Sequence, residues 1–139
     1  MREDSEGMAV TVGATRRDGV VVAEVRGGID TENCRQVRDE LFACLRADAG
    51  GLVVDLDGVG FFGSLGIAVL VEVWERAGRS GIPLAVVAGR RAVARPMRLT
   101  EVDELLALCQ TVDEAVAAVR DRAARPPVEP GTDFSWWGS

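Results

Sequence analysis

Leu52-Val53-Val54-Asp55-Leu56, then Asp57-Gly58-Val59-Gly60-Phe61-Phe62-Gly63, then Ser64-Leu65-Gly66-Ile67-Ala68-Val69-Leu70, is the stretch that decides the fold. The first five residues are a short apolar run and predict a central strand. Asp57 to Gly63 reads as a glycine-bearing loop. From Leu65 to Arg79 apolar residues recur at helical spacing. Leu65, Ala68, Val69 and Val73 form one side, and Ile67, Leu70, Val71 and Trp74 widen it nearly all round. Such a helix is either deeply buried or offers part of itself to a partner. Ser80-Gly81 is its stop signal.

Toward the N-terminus, Met8 to Ala14 and Gly19 to Val25 are valine-rich and flank Arg16-Arg17-Asp18-Gly19. Asp-Gly between two such runs predicts an antiparallel hairpin. Gly27-Gly28 ends its second strand. A helix follows, with Cys34, Val37, Leu41, Cys44 and Leu45 at helical spacing, Asp30 or Thr31 as cap and Glu32 in the first turn. Toward the C-terminus, Pro83 to Ala88 predicts a buried strand. Arg90 to Leu99 predicts a short basic helix limited by Pro96, and Leu105 to Cys109 a short edge strand. Thr111-Val112-Asp113-Glu114 is a capping box that opens a last helix, which Pro126-Pro127 ends.

Interior strands joined through helices pair in parallel with right-handed crossovers, and the opening hairpin makes the sheet mixed. The expectation is one α/β domain over 8–124, a mixed β-sheet of about five strands with helices packed on it. A polar leader, 1–7, precedes it. A tail, 125–139, carries Phe134, Trp136 and Trp137. The tail reads either as an aromatic peptide docking on its own domain or a partner, or as a frayed terminus, the commoner outcome.

Composition narrows the function. The 139 residues hold 16 basic and 22 acidic side chains, a net charge of −6. Neither nucleic acid nor an anionic membrane rewards a negative surface. The longest apolar stretch, Ile67 to Val73, is interrupted by Glu72 and is too short to span a bilayer. There is no His and no Lys; every basic residue is Arg. That removes histidine-driven nucleophiles, most zinc sites, lysine phosphate loops and Schiff bases. No catalytic residue, metal or cofactor is expected, and the chain reads as a binding or switch module. Cys34, Cys44 and Cys109 are odd in number, with no metal spacing. They read as buried small apolar residues in a reducing cytoplasm rather than as redox or metal thiols.

Ser64 is the informative side chain, placed at or next to the N-cap of the apolar helix. Three readings apply. It caps the helix, contributing about 1 kcal/mol. It is a hydrolase nucleophile, which would need glycine in place of Phe62 and a histidine. Or it accepts a phosphate, which the free N–H groups and dipole of a helix N-terminus stabilise.

Four spaced elements then agree in order. They are Gly27-Gly28-Ile29-Asp30, Val53-Val54-Asp55-Leu56-Asp57-Gly58-Val59, Phe61-Phe62-Gly63-Ser64-Leu65-Gly66-Ile67, and Arg95-Pro96-Met97-Arg98-Leu99-Thr100-Glu101-Val102-Asp103. From Met8 to Val119 the chain resembles a STAS domain of the anti-sigma factor antagonist family. The resemblance implies a cytoplasmic bacterial regulator that is not an enzyme. Its partner would be an anti-sigma factor serine kinase that phosphorylates Ser64. The unphosphorylated form would bind the kinase and free the sigma factor, and a serine phosphatase would reverse the switch. Asp30, Gly63, Ser64, Leu65 and Gly66 would form the contact surface, with outward residues such as Val71 or Trp74, although Trp74 reads first as core. Arg90, Arg91, Arg95 and Arg98 read as a solvated face that could also pair with acidic partner residues or a phosphate. The chain departs from the family pattern at three positions. Gly63 replaces an Asp, Leu65 a Ser or Thr, and Gly28 a Glu. The alternative is a STAS scaffold or transport-associated subunit, a constitutive binder whose Ser64 is never phosphorylated.

Overall fold

The computed structural model describes residues 9–46, 48–88, 91–99, 102 and 104–124, with only the backbone of Phe61, Arg91, Ala92 and Ala124. The leader 1–7, the tail 125–139 and the stop at Pro126-Pro127 lie outside the described residues.

β1 (Val10–Arg17) and β2 (Val20–Gly28) form the expected hairpin. Arg17 pairs with Val20, so Asp18-Gly19 is a two-residue loop with φ of 54° and 83°. Positive φ at both central residues gives the turn whose twist matches the flanking strands, and Asp-Gly tolerates it. α1 (Cys34–Ala43), β3 (Leu52–Phe61), α2 (Gly63–Arg79), β4 (Leu84–Val87), α3 (Arg91–Leu99), β5 (Leu108–Cys109) and α4 (Val112–Ala124) follow. The five strands lie in sequence order in one sheet, the first pair antiparallel and the rest parallel. The mixed α/β sheet expected from the element order is the one observed.

Alternation along the strands sorts side chains onto two faces. Val21, Ala23 and Val25 of β2, with Leu52, Val54 and Leu56 of β3, pack against Val37 and Leu41 of α1, Val69 and Val73 of α2, and Val93 and Met97 of α3. Val20, Val22, Val53, Ala85 and Val87 pack against Ala115, Val116 and Val119 of α4. Three helices therefore cover one face and α4 the other. Thr111 caps α4 as expected, its Oγ1 accepting from the Glu114 N–H at 3.1 Å, while Glu114 Oε1 accepts from the Gln110 N–H at 3.1 Å, one residue before the cap.

The expected loop over Asp57–Gly63 is instead strand as far as Phe61. Opposite the step from Glu24 to Arg26, β3 advances from Asp55 to Gly58, and opposite Gly27 to Gly28 it advances from Val59 to Phe61. Each extra residue is a bulge, which re-aims the side chains beyond it. The Asp57 N–H, donated to Asp55 Oδ1 at 3.0 Å, closes the first. Beyond it Val59 replaces an even-numbered residue on the face that buries Leu52, Val54 and Leu56.

Other boundaries move for packing reasons. α1 begins at Cys34, so Glu32 lies in the turn before it rather than in its first turn. α3 covers Arg91–Leu99, close to the expected range, and carries Pro96 inside it, because Val93 and Met97 are fully buried and tertiary packing outweighs local propensity. β5 is confined to Leu108–Cys109, since Leu106 belongs to the core and not to the ladder. Among the described residues no helix is long and apolar enough to cross a membrane.

Candidate protein-docking site

Parallel strands end at one edge of the sheet. β2 and β3 finish as the register pair Gly28 and Phe61. Neighbouring strands are about 4.8 Å apart. Asp30 and Gly63 each follow their strand end by two residues. The edge thus gathers Asp30, Gly63, Ser64, Leu65 and Gly66 from two connections distant in sequence.

The turn from β3 into α2 is sharp. Gly63 has φ of 64°, a left-handed conformation that costs a residue with a Cβ. Phe62 before it is 2% exposed, so its ring points into the core. A Cβ built on Gly66 would lie 2.5 Å from both Cδ1 and Cε1 of that ring. Only glycine lets the first turn of α2 sit this close to Phe62. With Phe62 turned in, Ser64 is turned out.

Ser64 is not the cap. Phe62 holds that position and has no side-chain capping bond. Ser64 is exposed, and its hydroxyl has no hydrogen-bond partner among the described residues. The Gly66 N–H makes a helical bond to the Phe62 carbonyl at 3.3 Å. The N–H groups of Gly63, Ser64 and Leu65 belong to the orphan donors of a helix start. The first turn carries no acid. The arrangement offers an accessible nucleophilic hydroxyl in a positive local field.

The apolar side expected of α2 divides. Val69 and Val73 are buried together with Gly66, Leu70 and Ala77. Leu65 is 37% exposed, Ala68 is exposed and Val71 is half-buried. Leu65, Ala68 and Val71 fall at a spacing of three and share a flank of the helix. Trp74 is half-buried against the core, close to its expected role there. α1 clamps the next part of α2. The Phe42 ring lies 4.6 Å from the Arg76 guanidinium and 5.7 Å from that of Arg38, which also pairs with Glu72 at 3.5 Å.

Asp30 is half-buried and partly committed. Its Oδ1 accepts from the Glu32 and Asn33 N–H groups at 2.9 and 3.0 Å, and its own N–H donates to Asn33 Oδ1 at 2.9 Å. Asn33, 8% exposed, also donates from Nδ2 to the Gly28 carbonyl at 2.8 Å. Sequence reasoning missed Asn33, although an Asp-x-x-Asn spacing after a strand is a signal for reciprocal turn bonding. Arg95 and Arg98 are exposed on α3, Arg90 lies outside the described residues and Arg91 is described by its backbone alone. The cysteines are free thiols. Burial pushes the Cys44 and Cys109 thiols up, away from the reactive thiolate.

Residues 11–115 match the family model of the STAS domain. The chain belongs to the STAS domain family. This STAS chain is 30% identical over 112 residues to the anti-sigma-F factor antagonist RsfB of Mycobacterium tuberculosis, covering 81% of this chain and 91% of that protein. It is 32% identical over 103 residues to RsfA of the same organism, also an anti-sigma-F factor antagonist, covering 73% and 80%. A crystal structure of an anti-sigma factor antagonist from Mycobacterium paratuberculosis superposes with a TM-score of 0.75 at 34% identity, covering 81% of this chain and 96% of that one.

Proposed function

We propose that this STAS protein is an anti-sigma factor antagonist, which docks an anti-sigma factor serine kinase through Asp30, Gly63, Ser64, Leu65 and Gly66 and is released when Ser64 is phosphorylated. The observation that carries the reading is the exposed, unbonded Ser64 hydroxyl beside exposed Leu65 at the start of α2. The relatives named as antagonists support the same assignment. The chain acts in the cytoplasm by binding and not by turnover. The ATP is the kinase's, and a serine phosphatase restores the docking form.

A phosphate adds about −1.5 to −2 charges. In the free protein it meets orphan N–H donors and the positive end of α2. In the complex it would be desolvated against a surface fitted to Leu65 and Ala68, and a like charge there costs several kcal/mol. Incubation with the kinase and ATP should add a single phosphate by intact mass, and none to Ser64→Ala. Ser64→Ala should keep binding. Ser64→Asp should bind at least about tenfold more weakly, about 1.4 kcal/mol. A pull-down in which Ser64→Asp binds as well as wild type would refute the switch.

A further inference from the structure

We propose that the segment Asp133-Phe134-Ser135-Trp136-Trp137 docks on its own domain, in a groove at the far end of α2 from Ser64. The groove has a volume of about 490 Å³ and is walled by Trp74, Ile82, Pro83, Leu84, Arg122 and Ala123. That is within the range of about 300–1,000 Å³ typical of sites that enclose organic ligands. The wall is apolar except at Arg122.

Arg122 identifies the occupant's chemistry. Its guanidinium donates to the Leu84 carbonyl. No carboxylate pairs with it among the described residues. Arg122 is exposed, so an incoming carboxylate can reach it, and partial desolvation holds its pKa below the ordinary arginine value. The groove therefore suits an aromatic group flanked by a carboxylate. Asp133 adjoins Phe134, with Trp136 and Trp137 close behind.

Geometry favours this segment over a separate molecule. Ala123, on the groove wall, is followed one residue later by the last residue of α4. The chain from there to Phe134 can extend about 30 Å. Pro126, Pro127 and Pro130 restrict its backbone. A short tether of this kind gives a local concentration on the order of millimolar. α2 has 17 residues and is about 25 Å long, so docking here leaves Ser64 uncovered. The proposal thus stands or falls apart from the Ser64 switch.

The test uses the full chain, with Trp74 as its one remaining indole. One variant carries Trp136→Phe and Trp137→Phe, which keeps an aromatic tail. A second carries Phe134→Ala, Trp136→Ala and Trp137→Ala. All changes lie beyond α4. Acrylamide should quench Trp74 about twofold more strongly in the second variant, because no ring covers it. Adding Asp133→Asn to the first should move its quenching toward the second. The difference should not change on tenfold dilution. Equal quenching in the two variants overturns the proposal. So does a difference that vanishes on dilution, which would mean that a second copy supplies the rings.

Discussion

Replacing Gly66 by alanine places a methyl group 2.5 Å from Cδ1 and Cε1 of Phe62, and 3.0 Å from Cγ. The ring has no room to retreat, since Phe62 is 2% exposed and packed in the main core. Overpacking of this kind costs about 1–3 kcal/mol. Alanine also gains up to about 1 kcal/mol of helix propensity over glycine, so the net loss is smaller than the clash. Gly78, in the same helix, supplies the control. A Cβ there meets nothing within 4 Å and its φ is not left-handed, so Gly78→Ala should stabilise by about 0.5–1 kcal/mol. Both variants share the propensity gain, so their difference isolates the clash, about 2 kcal/mol. Urea unfolding at fixed pH reads this as a midpoint gap of about 1 M, with Gly66→Ala the lower. In a Phe62→Leu background the Gly66→Ala penalty should shrink, which a double-mutant cycle measures. Equal midpoints for Gly66→Ala and Gly78→Ala would refute the claim that Phe62 sets the position of the first turn of α2.

Gly63→Ala should cost about 1–2 kcal/mol in the same assay, because φ of 64° crowds a Cβ, and Gly63→Asn should cost less, since Asn tolerates that region. The Asp55 carboxyl is pushed up from its ordinary 3.8, chiefly by burial, against the Asp57 N–H bond that favours its charged form, with the negative charges of Asp57 and Glu24 adding to the rise. The folded state then binds more protons than the unfolded chain from about pH 3.8 upward to the folded value, so stability falls as pH rises through that window. Asp55→Asn keeps an acceptor for the Asp57 N–H and removes the titration. Its stability relative to wild type should therefore rise between about pH 3 and pH 7, and a flat difference would contradict the assignment.

The elements with a local signature were legible in the sequence. Asp18-Gly19 fixed the hairpin, Thr111 with Glu114 fixed the start of α4, and the apolar runs at Leu52 and Pro83 marked the parallel strands. The end of β3 was not legible. Gly58 and Gly60 look like loop residues, yet they lie in a bulged strand whose pairing with β2 depends on partners about 30 residues earlier. No window of local sequence contains that pairing. The same holds for α2. Its periodicity could not say which apolar residues faced outward, and the structure turns Leu65 and Ala68 out while keeping Val69 and Val73 in. Ser64 was singled out at or next to the helix cap, as a cap, a nucleophile or a phosphate acceptor. Phe62 displaces it from that position because the extended strand carries a large buried ring to the helix entry. The side chain left without a structural task is the one to which the proposed switch assigns a function.

Gly63 and Leu65 then acquire a joint meaning. A left-handed residue before Ser64 can be glycine or, with tolerance, Asp or Asn. Glycine meets the backbone requirement without the charge. An Asp carboxylate about 5 Å from a phosphate on Ser64 would repel it by about 3 kcal/mol per unit charge at an effective dielectric near 20. With no acid in the first turn of α2, that repulsion is absent from the helix end that the proposed phosphate would meet. Leu65, in turn, places apolar surface at the contact, and fully burying such a side chain is worth about 1.5–3 kcal/mol to a partner. Both changes widen the contrast between the two proposed states. The unmodified surface gains affinity by apolar burial, and the modified one holds its phosphate where burial of a dianion is least tolerable.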